Sequence, residues 1–271
     1  MEYLNVSNEL KVPVLGFCTY GISPSQTKQA VLNAIKIGYR GIDTAQFNRN
    51  EAPTGAAVKE SGINRAELFV TSKVQTNGYL ATKQGIDDSL ERAGLDYFDL
   101  LLLHWPMTDT LGSYRALEEA YKAGKTRAIG LSNFNIQQTQ EVINNFGTKP
   151  VVDEIETHLY LQQGKMHEFL TQNNIIHEAY GPFGENVAMM VSIPEVQQIA
   201  KNHHKTPAQV ILRFLNQSKI MVNARSTSLE HMKDNFNIFD FQLTPAEMKQ
   251  LQRLERHQPI IDWPPSMHVD E

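Results

Sequence analysis

The sequence predicts an α/β chain whose strands close into a (β/α)8 TIM barrel, and three observations carry that expectation. First, short apolar runs recur along the 271 residues, and almost every one ends on a residue able to do chemistry. GIDTA stops at Asp43, LFVTSK at Lys73, FDLLLLH at His104, AIGLSN at Ser132 and Asn133, IIHEAY at Tyr180, and IMVNARS at Arg225 and Ser226, while VVDEIET carries Glu154 and Glu156. Second, helical periodicity fills the gaps, and the units repeat at roughly 25–35 residues, as whole βα units require. Third, no low-complexity linker divides the chain, so residues 1–271 read as one barrel domain. A parallel barrel gathers polar groups at the carboxyl ends of its strands, where its active site lies.

The eight strands are expected at 14–18, 39–44, 68–73, 98–103, 126–131, 150–156, 174–180 and 219–225. The first 11 residues are expected to form a hairpin plugging the barrel floor. Between strands, Tyr114, Leu117, Ala120 and Tyr121 share one face of a helix over 113–123 that Gly124 closes. Helix starts are marked by Ser23-Pro24-Ser25-Gln26, Thr206-Pro207-Ala208-Gln209 and Thr244-Pro245-Ala246-Glu247, and without the proline by Thr227-Ser228-Leu229-Glu230. Each predicts a capping box, in which the first hydroxyl accepts from the N3 amide and the N3 side chain accepts in return. Helices near 194–203 and 245–256 exceed a minimal barrel, and the unperiodic tail 257–271 reads as a loop over the top face.

Composition narrows the function. A hydrophobic content of 41% supplies a large core, while a mean hydropathy of -0.37 and the lack of a long apolar run exclude a spanning helix. The start, MEYLNVSNELKVPVLG, does not have the form of a signal peptide. A single cysteine, Cys18, fits a reducing compartment, so the expected location is cytoplasmic. A net charge of -5 with a pI near 6.0 argues against a nucleic-acid partner. No metal is expected: His203 and His204 are adjacent on a helix and face different ways, and His158, His167 and His177 lack companions at ligand spacing.

Asp43, Lys73 and His104 end successive strands and should converge at the barrel mouth. A carboxylate beside a lysine keeps the ammonium charged and in place, a charged lysine depresses the pKa of a neighbouring acid, and a histidine can polarise a carbonyl or carry a proton. Tyr20, Phe47, Trp105 and Trp263 would line a substrate pocket whose aromatic walls favour apolar or cyclic carbonyls; Phe17 and Phe134 read as core.

At these residues the sequence resembles the aldo-keto reductases. GYRGIDTAQFNRNE, LFVTSKV, LLLHWP, AGKTRAIGLSNFN, ETHLYLQQ, AYGPFG and ARSTSLEHMKDNF occur in the family's order and spacing, from about residue 10 to 256. The resemblance implies a (β/α)8 barrel that binds NADP(H) in extended form and transfers hydride between its nicotinamide and a small-molecule carbonyl or alcohol. No GxGxxG follows any strand here, in keeping with that. Of the family's catalytic tetrad, Asp43, Lys73 and His104 match. The tyrosine does not: Asn50-Glu51 keep register, so its position is Asn48. An amide can donate a hydrogen bond to a carbonyl oxygen but has no proton to give near neutral pH. Proton donation then falls to His104, Lys73, a water held by Asn48, or Tyr20.

The resemblance also implies the cofactor residues. Ser132 and Asn133 match the pair that holds the nicotinamide amide; the glutamine that completes it is Glu154 here. Tyr180 matches the ring that stacks on the nicotinamide. Arg225 and Ser226 stand where the family has Lys-Ser at the 2′-phosphate, His231 replaces an arginine, and Asn235 matches an adenine-contacting asparagine. Arginine is a competent bidentate phosphate partner, so NADP(H) is the expected cofactor and NAD(H) the second choice. The protein is expected to be a reductase of aldehydes and ketones, altered by Asn48 and working as a monomer. The alternatives are an NADP(H)-binding sensor without turnover, and a lyase or isomerase that uses Asp43, Lys73 and Glu154 for proton abstraction.

Overall fold

The structure is a computed structural model that describes residues 1–5, 10–184, 186–263 and 269. Its strands are β1 (Tyr3–Asn5), β2 (Lys11–Pro13), β3 (Leu15–Cys18), β4 (Gly41–Asp43), β5 (Phe69–Val74), β6 (Leu100–Leu103), β7 (Ile129–Ser132), β8 (Val152–Glu156), β9 (Ile176–Tyr180) and β10 (Met221–Ala224). The last eight close into a barrel in the order β10-β3-β4-β5-β6-β7-β8-β9, every pair parallel. Each expected strand is therefore present and starts one to three residues later than expected, while β5 and β7 run one residue past their expected ends.

Alternation along the strands sorts the side chains. On β6, Leu101 and Leu103 face the helices and join the main core, while Leu100 and Leu102 point inward. The inward leucines meet Phe69, Val152 and Met221, and Leu10 and Val12 beside and on β2 close this cluster from below. β1 and β2 pair antiparallel from Tyr3↔Pro13 to Asn5↔Lys11, so the hairpin does plug the floor; residues 6–9 lie outside the described residues. Burying one leucine fully is worth about 1.5–3 kcal/mol, and four in a row make β6 an apolar spine.

Around the barrel, local signals hold with three exceptions. Thr206 and Thr244 form full capping boxes with Gln209 and Glu247, and the extra helices run Pro194–His203 and Pro245–Gln252. Ser23 does not cap through its side chain; its hydroxyl donates instead to Gln26 Oε1 at 2.9 Å. The helix after β10 starts one residue later than expected: Ser228, not Thr227, accepts from the amide of His231, so Glu230 is not at N3. In the helix Thr110–Lys122, Tyr114, Leu117 and Ala120 are buried but Tyr121 is exposed, since its position turns past the edge of the apolar stripe. Gly124 follows that helix at φ 75, a left-handed conformation that suits glycine.

The tail crosses the top face as expected as far as it is described. The amides of Ile260 and Ile261 donate to Glu156 Oε1 at 2.7 and 3.1 Å, and the Trp263 ring lies 5.9 Å from that of Phe47. Pro264 and Pro265 lie outside the described residues. Among those described, no helix is long and apolar enough to cross a membrane.

Candidate active site

The residues that end the strands converge as the alternation requires. Asp43 ends β4, Lys73 is next to last on β5 and His104 follows β6, all at the carboxyl end of the barrel. Lys73 Nζ donates to Asp43 Oδ1 and lies 3.0 Å from Glu154 Oε2 on β8. All three side chains are almost wholly buried. Burial alone would lower the Lys73 pKa, but Asp43 and Glu154 outweigh it and hold the group well above the ordinary lysine value. Lys73 is thus a firmly charged ammonium held between the Asp43 and Glu154 carboxyl groups.

His104 is buried and neutral. Burial, then the nearby Lys73 charge, push it well below the usual histidine range. Its ring stacks on Trp105 at 4.5 Å, and its Nδ1 has no hydrogen-bond partner among the described residues. A neutral imidazole carries one N–H and can polarise a carbonyl oxygen. As an imidazolium donor it is ruled out near neutral pH.

Asn48 sits in a 3-10 turn, Gln46–Asn48, that leaves β4 toward the cavity. Its amide donates to Thr19 Oγ1 at 3.3 Å. Asn50, two residues on, fixes this turn: its side-chain amide donates to the carbonyls of Thr19 and Ile22, and its oxygen accepts from Thr19 and Thr44. Asn50 is fully buried, so the loop after β4 is stapled to the loop after β3. Behind β5, Ser72 donates to Glu51, whose other oxygen takes two bonds from Arg92. Residue 48 is therefore held where a side chain faces the cavity.

That cavity, about 590 Å³, reaches from Asp43, Lys73 and His104 past Ser132, Asn133 and Tyr180 to Arg225. Tyr20, Phe47 and Trp263 form its aromatic rim, Tyr20 and Phe47 stacked at 6.4 Å. Trp105 supports the rim from outside, edge-on to Phe47 at 6.0 Å, rather than lining the cavity.

Several expected cofactor residues have partners already. Asn133, at φ 62, donates to the His104 carbonyl at 2.9 Å and to Ser132 Oγ at 3.1 Å, and accepts from the Tyr180 hydroxyl. Ser132 donates to the backbone carbonyl of Glu154. Glu154 faces Lys73 and Asn223, while His158 pairs with Glu156 instead. Arg225 is exposed and reaches back to the Tyr20 carbonyl across Gly21, where a Cβ would strike its guanidinium at 2.3 Å. Ser226, His231 and Asn235 lie beyond the cavity, with the two last on the helix Leu229–Phe236. The cavity thus has an exposed arginine at one end and the buried Asp43–Lys73 pair with His104 at the other, an arrangement able to take a ligand whose anionic part lies toward Arg225.

Sequence reasoning missed two residues of the site. Glu178 and Asn223 are buried on β9 and β10, and Asn223 Nδ2 donates to Glu178 Oε1 at 2.6 Å and to Glu154 Oε1 at 3.1 Å. Period-two spacing was the available signal: Glu178 is two before Tyr180, and Asn223 two before Arg225. Gly16 is the space they need, since a Cβ there would stand 2.1 Å from Asn223 Oδ1. His167 and His177 do have company: their Nδ1 atoms are 3.1 Å apart, and His177 Nε2 bonds Thr157 Oγ1. Among the described residues, however, no three His, Cys, Asp or Glu side chains are grouped to hold a metal.

Comparison with known proteins accounts for this arrangement. The profile of the Aldo/keto reductase family matches residues 14–256. Glyoxal reductase from Bacillus subtilis is 36% identical over 263 residues, which cover 96% of this chain and 95% of that protein. Morphine 6-dehydrogenase from Pseudomonas putida is 37% identical, covering 93% and 90%. A crystal structure of an aldo-keto reductase enzyme from a Medee basin deep-sea metagenome library superposes with a TM-score of 0.93 at 36% identity, covering 96% of this chain and 97% of that one. The chain belongs to the aldo/keto reductase family of oxidoreductases, and its fold is that family's TIM barrel.

Proposed function

We propose that the protein interconverts a small aldehyde or ketone and its alcohol with NADP(H), or more weakly with NAD(H). One observation supports this most: the Asp43–Lys73 pair and a neutral His104 stand at the inner end of a cavity that runs past Tyr180 to Arg225. The nicotinamide, when bound, supplies or accepts hydride. Arg225, with Ser226 and His231 beyond it, would hold the phosphate end, and Ser132, Asn133, Glu154 and Tyr180 the carboxamide end. Asn133 must then exchange at least one of its present bonds for a bond to the ligand. His104 polarises the carbonyl oxygen, and the Lys73 ammonium supports charge that develops there. Tyr20, Phe47 and Trp263 exclude water and favour apolar carbonyls. Relatives named as a reductase and as a dehydrogenase make either direction a reasonable starting assay. Action as a cytoplasmic monomer belongs to the same reading.

Asn48 favours a second reading, a nucleotide-binding protein without turnover, because the amide offers no proton. The chain's two tryptophans, Trp105 and Trp263, both flank the rim, so their emission should report occupancy. Titration with NADPH and NADH should show saturable quenching, tighter for NADPH. No binding of either would sink both readings, and binding without turnover on a panel of aldehydes and ketones would leave the second.

A further inference from the structure

Five buried side chains form one polar line across the barrel interior: Glu178, Asn223, Glu154, Lys73 and Asp43. Three are carboxyls and one is an ammonium. Fully ionised, the line would set three carboxylates against the single Lys73 cation and leave two negative charges uncompensated, out of reach of solvent. Uncompensated buried charge is expensive enough that a group takes up a proton instead. Asp43 Oδ2, Glu178 Oε2 and Asn223 Oδ1 have no hydrogen-bond partner among the described residues, so the line is not closed by other donors.

The three carboxyls are not equivalent. Asp43 holds Lys73 directly. Glu178 has only the Asn223 amide, and burial followed by its acidic neighbours keeps its proton on. Glu154 stands between these cases. Burial raises its pKa, Lys73 lowers it, and Asp43 raises it again, leaving it above the ordinary glutamate range. The other titratable groups facing this position are Cys18 on β3 and Tyr180 on β9, both held protonated by burial; Asp153, next to it on β8, points the other way, to Thr139, and is also kept protonated by burial. Glu154 also lines the cavity.

Building on the proposed function, we propose that Glu154 is the proton-exchanging group of this site, working through Lys73 in place of a hydroxyl at position 48. In the reducing direction a bound reduced nicotinamide would supply hydride to the carbonyl carbon, with the C=O π pair moving to oxygen. The oxygen takes a proton from Lys73 Nζ. Lys73 recovers it from the Glu154 carboxylic acid, and the Glu154 carboxylate reloads from water. The carbonyl would leave as alcohol with the two electrons that the cofactor would supply, and the reverse sequence balances in the same way.

The oxidised nicotinamide ring is cationic and the reduced ring is neutral. Placed beside Glu154, the cation should expel its proton. Calorimetric titration with NADP⁺ and NADPH, in two buffers of different ionisation enthalpy near neutral pH, counts protons released on binding. Wild type should release more with NADP⁺ than with NADPH, and the 2′-phosphate, common to both, cancels in the difference. Glu154→Gln, which installs the residue the family has there, should bind both nucleotides with that difference abolished, while Glu154→Asp should keep it. Turnover of wild type should decline toward high pH, and turnover of Glu154→Gln should fall by about 10²–10⁴ and lose that decline. An equal proton difference in wild type and Glu154→Gln, or unchanged turnover and pH profile, would overturn the proposal. Failure of wild type to bind either nucleotide would instead overturn the function on which it rests.

Discussion

Lys73→Met tests whether the buried charge pair is what the geometry says it is. The substitution keeps a long flexible stem and removes the cation that Asp43 and Glu154 share. The side chains of all three are at most 6% exposed, so water cannot take over the lost bonds. Breaking one partner out of a buried ion pair costs about 3–5 kcal/mol, because the remaining charge is stranded. At about 2–4 °C per kcal/mol for a chain approaching this size, the midpoint should fall by roughly 6–20 °C at neutral pH. The sign with pH follows from linkage. Without Lys73, whose charge now lowers the Glu154 pKa against burial, the folded state holds the Glu154 proton more tightly than the unfolded chain does. The penalty is therefore small below the ordinary glutamate range and grows as pH rises through the raised folded value of Glu154. Thermal and urea unfolding at about pH 5 and about pH 8 would read it, with the variant nearer wild type at the lower pH. Lys73→Met with Glu154→Gln should recover part of the loss. A variant as stable as wild type at both pH values, or one penalised more at the lower, would refute the reasoning.

Three further outcomes are expected. Asn48→Tyr puts a phenol at the cavity and should raise carbonyl reduction by about 10²–10⁴ in steady-state assays with NADPH; no gain would mean that the second carboxylate on Lys73 has taken the site out of that chemistry. Arg225→Ala should weaken NADPH more than NADH in fluorescence titrations, and His231→Arg should shift the preference the other way; equal changes for both nucleotides would remove these residues from the 2′-phosphate. Asp153, fully buried and pushed up to about 8 mainly by burial, holds its proton in the folded state. Its share of stability is present below the ordinary aspartate value and lost as pH rises through about 8, so Asp153→Asn should flatten that decline in denaturant melts; an unchanged slope would show that Asp153 is already charged.

Much of the architecture was legible because strands and helices leave local marks. Seven apolar runs with chemistry-bearing residues, together with the run at 14–18, became the eight barrel strands, and Thr206 and Thr244 became capping boxes, since a cap depends on residues within four positions of one another. Ser23 and Thr227 carried the same letters and did not cap in that way. Whether a hydroxyl accepts or donates, and which residue begins the helix, depends on the angle at which the chain enters, and the packed barrel sets that angle.

For the site, the sequence by itself determined the strand-end set Asp43, Lys73, His104, Ser132, Asn133, Tyr180 and Arg225, and the departure at Asn48. It could do so because the carboxyl end of a parallel strand is a position along one strand. Only the tertiary structure decided that Glu154 turns to Lys73, that Asn133 is bonded to Tyr180 and His104, and that Glu178 and Asn223 join the line. These contacts link residues up to 81 positions apart (Lys73 to Glu154), and barrel closure brings them together. Their ionisation follows from burial, which is a property of the closed barrel and has no local signature in the chain.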